Sequence, residues 1–366
     1  MKTASSSSSV SAEAAELPLG LSWSGFKAAR RRLNGSFEKG DAAGSAHTLV
    51  GPAPIKYSRW LSQAVGGSVW LKLECLHEGG SFKLRGATHA LLAHRDRHHG
   101  RLPLRVYTAS GGNHGLGVAI AAQRLGVPCT IVLPTNTPQH RCKVIASYGA
   151  EVKLIGDVWD SANAEAVRMA SEAKDALYIH PFAETDVILG QGTIAMELLE
   201  QMNVDNVVAS VGGGGLMSGI ASCYRVKGDT QTKFYAVETE GADWFYQSSE
   251  AGQLVTLPTI TSIAKTLGAK SSTPEVYQIL SRNVERALRV SDKEAVEALV
   301  SFLDREKLLV EPAAACVVAA VLKNPDLFAG KSTVLIVCGS NTTLDEVSLW
   351  RQQFNIAADP TTKTTP

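Results

Sequence analysis

The sequence is short of almost everything that would mark a disulfide-stapled, metal-clustered, membrane-spanning or polyanion-binding protein. Its six cysteines, Cys75, Cys129, Cys142, Cys223, Cys316 and Cys338, are scattered over 366 residues without any C-x-x-C pair. That spacing offers neither a disulfide framework nor a zinc site, and it fits a reducing, cytoplasmic setting. No uninterrupted apolar run approaches the roughly 20 residues needed to cross a bilayer, so no membrane span is expected. Thirty-six basic residues stand against thirty-five acidic ones, and without a net field there is nothing to hold nucleic acid or an anionic membrane. No internal repeat is visible. What remains is a globular protein acting on a small molecule, with an apolar content of 45% that suffices for two packed domains at this length.

Residues 1–16 include five consecutive serines, Ser5 to Ser9, and few branched or aromatic side chains. Such a stretch cannot bury enough surface to order itself and reads as a disordered tail. Mitochondrial or plastid targeting is the rival reading, opposed by Glu13, Glu16 and the lack of early arginine. The cluster Arg30-Arg31-Arg32 reads as a solvated helix face. From about Lys56 onward, short branched or aromatic runs alternate with helical patterns, which predicts an α/β fold with a mainly parallel sheet flanked by helices. Strands are predicted over Val69 to Leu73, Arg105 to Ala109, Cys129 to Leu133, Glu151 to Ile155, Asn206 to Val211, Lys233 to Glu238 and Val334 to Cys338. The predicted helices Asn113 to Leu125 and Thr137 to Tyr148 each run into a glycine, Gly126 and Gly149, suited to a left-handed cap. The run His94-Arg95-Asp96-Arg97-His98-His99 points its side chains in different directions and reads as a connector, not a metal site.

Three glycine-containing segments carry the chemistry. In Gly79-Gly80-Ser81-Phe82-Lys83-Leu84-Arg85-Gly86, a turn leads into a helix with a lysine near its start. A helix N-terminus disfavours an added cation, so Lys83 is exposed, paired with an anion, or neutralised by covalent chemistry such as a Schiff base. In Gly212-Gly213-Gly214-Gly215-Leu216, four glycines follow a strand and precede a helix, which suits an anion cradle of backbone N–H groups. The same segment also approximates a dinucleotide turn, with Glu238 after the next strand as a ribose partner. The third segment, Ser110-Gly111-Gly112-Asn113-His114-Gly115, could hold a carboxylate on its N–H groups, or be an ordinary turn with His114 packed inside.

Taken together and in this order, the three segments resemble the serine/threonine dehydratases of the fold-type II pyridoxal-phosphate family, which includes the tryptophan synthase β subunit. The likeness runs from about His47 to Leu349. Val237 to Ala242, Thr261 to Gly268, Val310-Glu311-Pro312-Ala313 and Val337 to Asn341 look particularly like the animal-type L-serine dehydratase branch. The resemblance implies two open twisted sheets flanked by helices. It places a large cofactor domain over 47–74 and 181–350 and a smaller mobile domain over 75–180, with an extension over 1–46 and a tail over 351–366. It implies pyridoxal 5'-phosphate bound to Lys83 as a Schiff base, with Phe82 against the ring and Asn113 on its 3'-oxygen. The phosphate would rest on Gly212, Gly213, Gly214, Gly215 and Leu216, with Cys338 facing the ring nitrogen. Ser81, Ser110, Gly111, Gly112 and His114 would bind a small hydroxy amino acid, and Lys83 would be catalytic. A cation such as K+ would lie on Gly212, Glu238, Ala242 and Leu267, although Trp244 stands where the family often has a small polar ligand. The related racemases have a serine at the place of Gly111, so dehydration is favoured over racemisation. A homodimer is expected. The rival functions are a 3-hydroxyaspartate dehydratase, a serine racemase or a β-replacement enzyme within the family, and outside it an NAD-dependent oxidoreductase or a non-catalytic ligand-binding protein.

Overall fold

The computed structural model describes residues 17–38 and 46–356; the serine-rich start and the end of the chain, both expected to be tails, lie outside the described residues. Two short strands, β1 (Ser36–Glu38) and β2 (Ala46–Thr48), form an antiparallel pair. The remaining strands are β3 (Ile55–Tyr57), β4 (Ser68–Lys72), β5 (Arg105–Ala109), β6 (Cys129–Leu133), β7 (Glu151–Leu154), β8 (Ala176–Tyr178), β9 (Asn206–Ser210), β10 (Lys233–Thr239), β11 (Val284–Val290) and β12 (Ser332–Ile336). They build a six-stranded sheet in the order β11-β10-β9-β12-β4-β3 and a four-stranded sheet in the order β7-β6-β5-β8. Every pairing in these two sheets is parallel except that of β3 with β4. The α/β class with mainly parallel sheets is therefore as the sequence predicts.

Strands buried on both faces read as continuous apolar runs, because helices cover each side of a parallel sheet. β6 and β9 follow that rule, every residue in both being buried. Helices return the chain between strands, and Gly126 and Gly149 take the left-handed conformation expected of them, at φ of 66° and 80°. No helix among the described residues is long and apolar enough to cross a membrane.

Two expectations need correction. The triple-arginine cluster is not simply a solvated face. On the helix Trp23–Leu33, Arg30 donates to Glu197 at 2.5 Å and Arg32 to Asp96 at 2.8 Å, while only Arg31 is exposed. The helix buries Phe26, Ala29 and Leu33, and that burial carries its basic face onto the protein. At the other end, the helix Leu344–Gln353 runs past residue 351, so regular structure continues beyond the expected start of the tail.

In open α/β sheets, ligands gather at the carboxyl ends of strands where the winding reverses. In the larger sheet that place lies between β9 and β12, which lead into Gly212 and Cys338. In the smaller one it lies at the end of β5, which leads into Ser110. The glycine turn and the Ser110 segment therefore leave the sheets at the positions topology reserves for a ligand, and the Lys83 segment follows β4, the neighbour of β12.

Candidate active site

Lys83 opens the helix Lys83–Arg97, and the turn before it is tied to the end of β12. The Phe82 N–H donates to the Cys338 carbonyl at 3.1 Å, and the Ser340 N–H donates to the Gly80 carbonyl at 2.9 Å. The Lys83 ammonium nitrogen lies 5.2 Å from the Phe82 ring centroid and donates to the Pro181 carbonyl at 2.5 Å. Burial lowers its pKa to about 8, with Cys338 and Glu311 acting in the opposite direction. A lysine near the positive end of a helix, without a carboxylate bonded to it, is easily neutralised.

Behind Lys83 lies a cluster of fully buried charges. Arg85 binds Glu74 through Nε at 2.7 Å and Nη2 at 2.9 Å, and Glu197 through Nη1 at 2.7 Å and Nη2 at 3.0 Å. Lys72 adds a bond to Glu197 at 2.5 Å. Because Arg85 sits two residues beyond Lys83, this cluster holds the first turn of the helix from its inner side.

The glycine turn comes next. Gly214 has φ of 88°, and the helix Gly215–Lys227 begins with no side-chain cap, which leaves its first N–H groups open to an anion. A Cβ on Gly213 would lie 2.1 Å from the Phe182 ring, so only glycine lets the turn pass there. Phe182 follows Pro181, and thus the turn and the Lys83 amine share one neighbouring segment. Beside them Cys338 is buried, its sulfur 3.4 Å from Ser210 Oγ. Burial, then Glu311, push its thiol pKa far up, so the group is neutral.

The Ser110–Gly115 segment caps the site from the smaller sheet. The Gly112 N–H donates to Ser110 Oγ at 3.3 Å. The Asn113 amide donates to Glu311 Oε1 at 2.9 Å and accepts from Asn341 Nδ2 at 2.7 Å. His114 Nε2 meets the Ile179 carbonyl at 3.1 Å, and its buried Nδ1 has no partner among the described residues. Burial, then the Lys83 charge, hold this imidazole well below its usual pKa, so it is neutral. A cleft of 190 Å³ opens here, lined by Gly111, Gly112, His140, Arg141 and Asn341. A larger hollow of 560 Å³ lies near Gly67 and Ser332, at the amino ends of β4 and β12, and contains none of these groups.

All three segments thus converge, and the lining includes residues to which the sequence alone assigned no role, among them Glu311, noted there only as part of a family-like motif. Glu311 accepts from Thr266 Oγ1 at 2.9 Å and the Asn341 N–H at 3.2 Å, besides Asn113. Burial raises its pKa to about 6. The signal available was a carboxylate placed directly before a proline that opens a strongly apolar helix, Pro312–Lys323. Pro181 and Phe182 had no comparable mark.

The residues present fit a phosphorylated aldehyde: an uncapped glycine turn for the phosphate, a buried amine of lowered pKa for the aldehyde, and a neutral thiol nearby. A cation fits poorly. Gly212 and Leu267 are neighbours, but the Gly212 carbonyl already accepts from Trp244 Nε1 at 2.5 Å. Both Glu238 oxygens accept backbone N–H groups, from Phe245 at 3.1 Å and Tyr246 at 2.6 Å. The same two bonds oppose the dinucleotide reading of the turn, since Glu238 is buried with a backbone donor already on each oxygen.

The sequence pattern of the family described as pyridoxal-phosphate dependent enzyme matches residues 47–339. The chain is 35% identical over 326 residues to an L-serine dehydratase/L-threonine deaminase of Bos taurus, covering 85% of this chain and 98% of that one. It is 35% identical over 303 residues to an L-threonine ammonia-lyase of Geobacter sulfurreducens, covering 82% of this chain and 74% of that one. Among solved structures, a serine racemase of maize superposes with a TM-score of 0.78 at 30% identity, covering 91% of this chain and 97% of that one.

Proposed function

Because this chain belongs to the pyridoxal-phosphate-dependent enzymes, we propose that it is an L-serine/L-threonine ammonia-lyase that releases ammonia and pyruvate or 2-oxobutanoate. The observation that carries the proposal is the buried Lys83 amine, lowered to about pKa 8 and bonded to Pro181, whose neighbour Phe182 packs on the glycine turn. Pyridoxal phosphate, when bound, supplies an aldehyde that an amine can capture and a ring that withdraws electrons from the substrate Cα.

The chain's own groups do the rest. Lys83 is the amine that would hold the cofactor, and in its neutral form it is the base that would take the Cα proton of a bound amino acid. Its lowered pKa leaves a useful neutral fraction near pH 7. Gly212, Gly213, Gly214, Gly215 and Leu216 hold the phosphate on backbone N–H groups. Phe82 lies under the amine, and Asn113, aimed by Glu311 and Asn341, offers its amide to the ring oxygen. Cys338, being neutral, does not hold the ring nitrogen as a cation, which suits elimination over amino-group transfer. Ser81, Ser110, Gly111, Gly112 and, through its backbone N–H, His114 take the substrate carboxylate and keep it fixed while the β-hydroxyl leaves.

Gly111 brings no side chain that could deliver a proton to the opposite face of Cα, and this supports elimination over racemisation despite the likeness to a racemase. The proposal extends to a large domain (47–74 and 181–350) and a mobile smaller one (75–180) that closes on the substrate. It also extends to a homodimer acting in the cytoplasm, as the family resemblance implies.

The test is ammonia and keto-acid release from L-serine, L-threonine, D-serine and 3-hydroxyaspartate, with and without sulfide, by the parent and a Lys83→Ala variant. The parent should show visible absorbance trapped by borohydride and activity on the L-hydroxy amino acids. A colourless parent, or a Lys83→Ala protein as active as the parent, would overturn the assignment.

A further inference from the structure

The glycine turn is gripped from outside by two side chains that arrive from separate segments. Trp244 Nε1 donates to the Gly212 carbonyl at 2.5 Å, and Ser272 Oγ donates to the Gly213 carbonyl at 2.8 Å. None of the described peptides is cis, and a trans peptide sets its C=O and the following N–H on opposite sides. Holding the two carbonyls therefore turns the Gly213 N–H away from Trp244 and the Gly214 N–H away from Ser272, so neither donor is directed at the side chains that grip the turn and both are left for an anion.

Glu238 completes the device. It is buried, and its two oxygens take the Phe245 and Tyr246 N–H groups in the first turn of the helix Trp244–Ala251. Burial nevertheless pushes the Glu238 pKa well above the carboxylate range, with the Tyr246 and Phe245 N–H groups acting in the opposite direction, so the side chain favours its neutral form and presents little charge for a cation to balance. The indole is fully buried, with its ring 3.7 Å from where a Gly214 Cβ would lie. The indole N–H takes one lone pair of the Gly212 carbonyl and its ring fills that side of the turn, so a metal ion approaching from there would have to displace it.

We propose that Trp244 and Ser272 are positioning residues that preorganise the phosphate turn, with the Trp244 indole standing in place of a cation, so that the enzyme neither needs nor binds K+ or a divalent metal there. Preorganised donors do not have to be reoriented when the anion arrives, so their loss shows first in cofactor affinity. The inference rests on the cofactor reading above for the identity of the anion.

The experiment uses holoenzyme dialysed into tetramethylammonium buffer with a chelator, then titrated with KCl, NaCl or MgCl2 at matched ionic strength. Cofactor dissociation constant, phosphorus NMR of the bound phosphate and Tm are read. The parent should show none of the three changing with any cation. Trp244→Phe, which removes the indole N–H while keeping an aromatic ring, should weaken cofactor binding about tenfold and shift the phosphorus resonance, and K+ should restore neither. Ser272→Ala, at a half-buried position, should act in the same direction and decides the matter if Trp244→Phe fails to fold. Cation-dependent tightening of the cofactor or a raised Tm in the parent would overturn the inference. So would variants with the parent's affinity and resonance. A parent that binds no pyridoxal phosphate at all would instead defeat the functional proposal.

Discussion

The Asn113 amide donates to Glu311 Oε1 at 2.9 Å, joining two segments 198 residues apart. The carboxylate accepts from Thr266 and Asn341 as well, so three donors face it and a second donor in its place would meet N–H groups head-on. Glu311→Gln should keep the fold and bind cofactor, while kcat falls about 10- to 100-fold from the loss of a buried charge-assisted bond. Its pKa of about 6, raised by burial, adds a second mark. In the parent, kcat should fall as pH drops through about 6, and that limb should vanish in Glu311→Gln. An unchanged kcat and profile would remove Glu311 from the site.

Capture of pyridoxal phosphate by the cofactor-free protein should speed up with rising pH about a midpoint near 8, because only the neutral Lys83 amine attacks. Stopped-flow absorbance follows it directly. The same shift has a stability consequence. The folded pKa lies below the ordinary 10.5, so between about pH 8 and 10.5 the unfolded chain binds more protons, and Lys83 makes the apoprotein more stable as pH rises through that window. A midpoint near 10 would mean an amine in contact with water.

Glu197 accepts from Arg85, Lys72, Arg30 and the Ala53 N–H. Glu197→Ala leaves Lys72 with only the Ala53 carbonyl and halves the carboxylates on Arg85. Unpaired buried charge is expensive, and the loss in unfolding free energy should be about 3–5 kcal/mol. Urea titration measures it, and a loss below about 1 kcal/mol would show that water reaches the cluster.

Gly213→Ala should weaken cofactor binding about 10- to 100-fold, the cost of forcing a methyl group into filled space, because its Cβ would overlap the Phe182 ring. The double variant Gly213→Ala/Phe182→Ala should recover part of that loss, since the obstacle is gone. Equal affinities for the single variant and the parent, measured by equilibrium dialysis, would show that Phe182 yields freely.

Much of the framework was legible in the chain order alone. β5 and β6 begin and end where the apolar runs predict, because both are short, almost wholly buried strands rich in branched and aromatic side chains. β8 escaped notice, being three residues long and too short to show a pattern. β11 escaped because it pairs only at the sheet edge, and its Val-Glu-Arg-Ala-Leu-Arg-Val sequence mixes charges into the strand. The arginines at 30 and 32 were read as solvated because nothing local announces a carboxylate more than 60 residues away.

By itself the sequence determined the strand and helix alternation, the three glycine-bearing segments and the lysine among them, since side-chain period, glycine permissiveness and helix-end chemistry act over a few neighbouring residues. Only the tertiary structure decided that Glu311 aims Asn113, that Pro181 receives the Lys83 amine, and that Trp244 rather than a metal ion holds the Gly212 carbonyl. Each of those contacts joins segments from separate elements. Which donor meets which acceptor there is settled by how the sheets and helices pack, and no short stretch of chain records that.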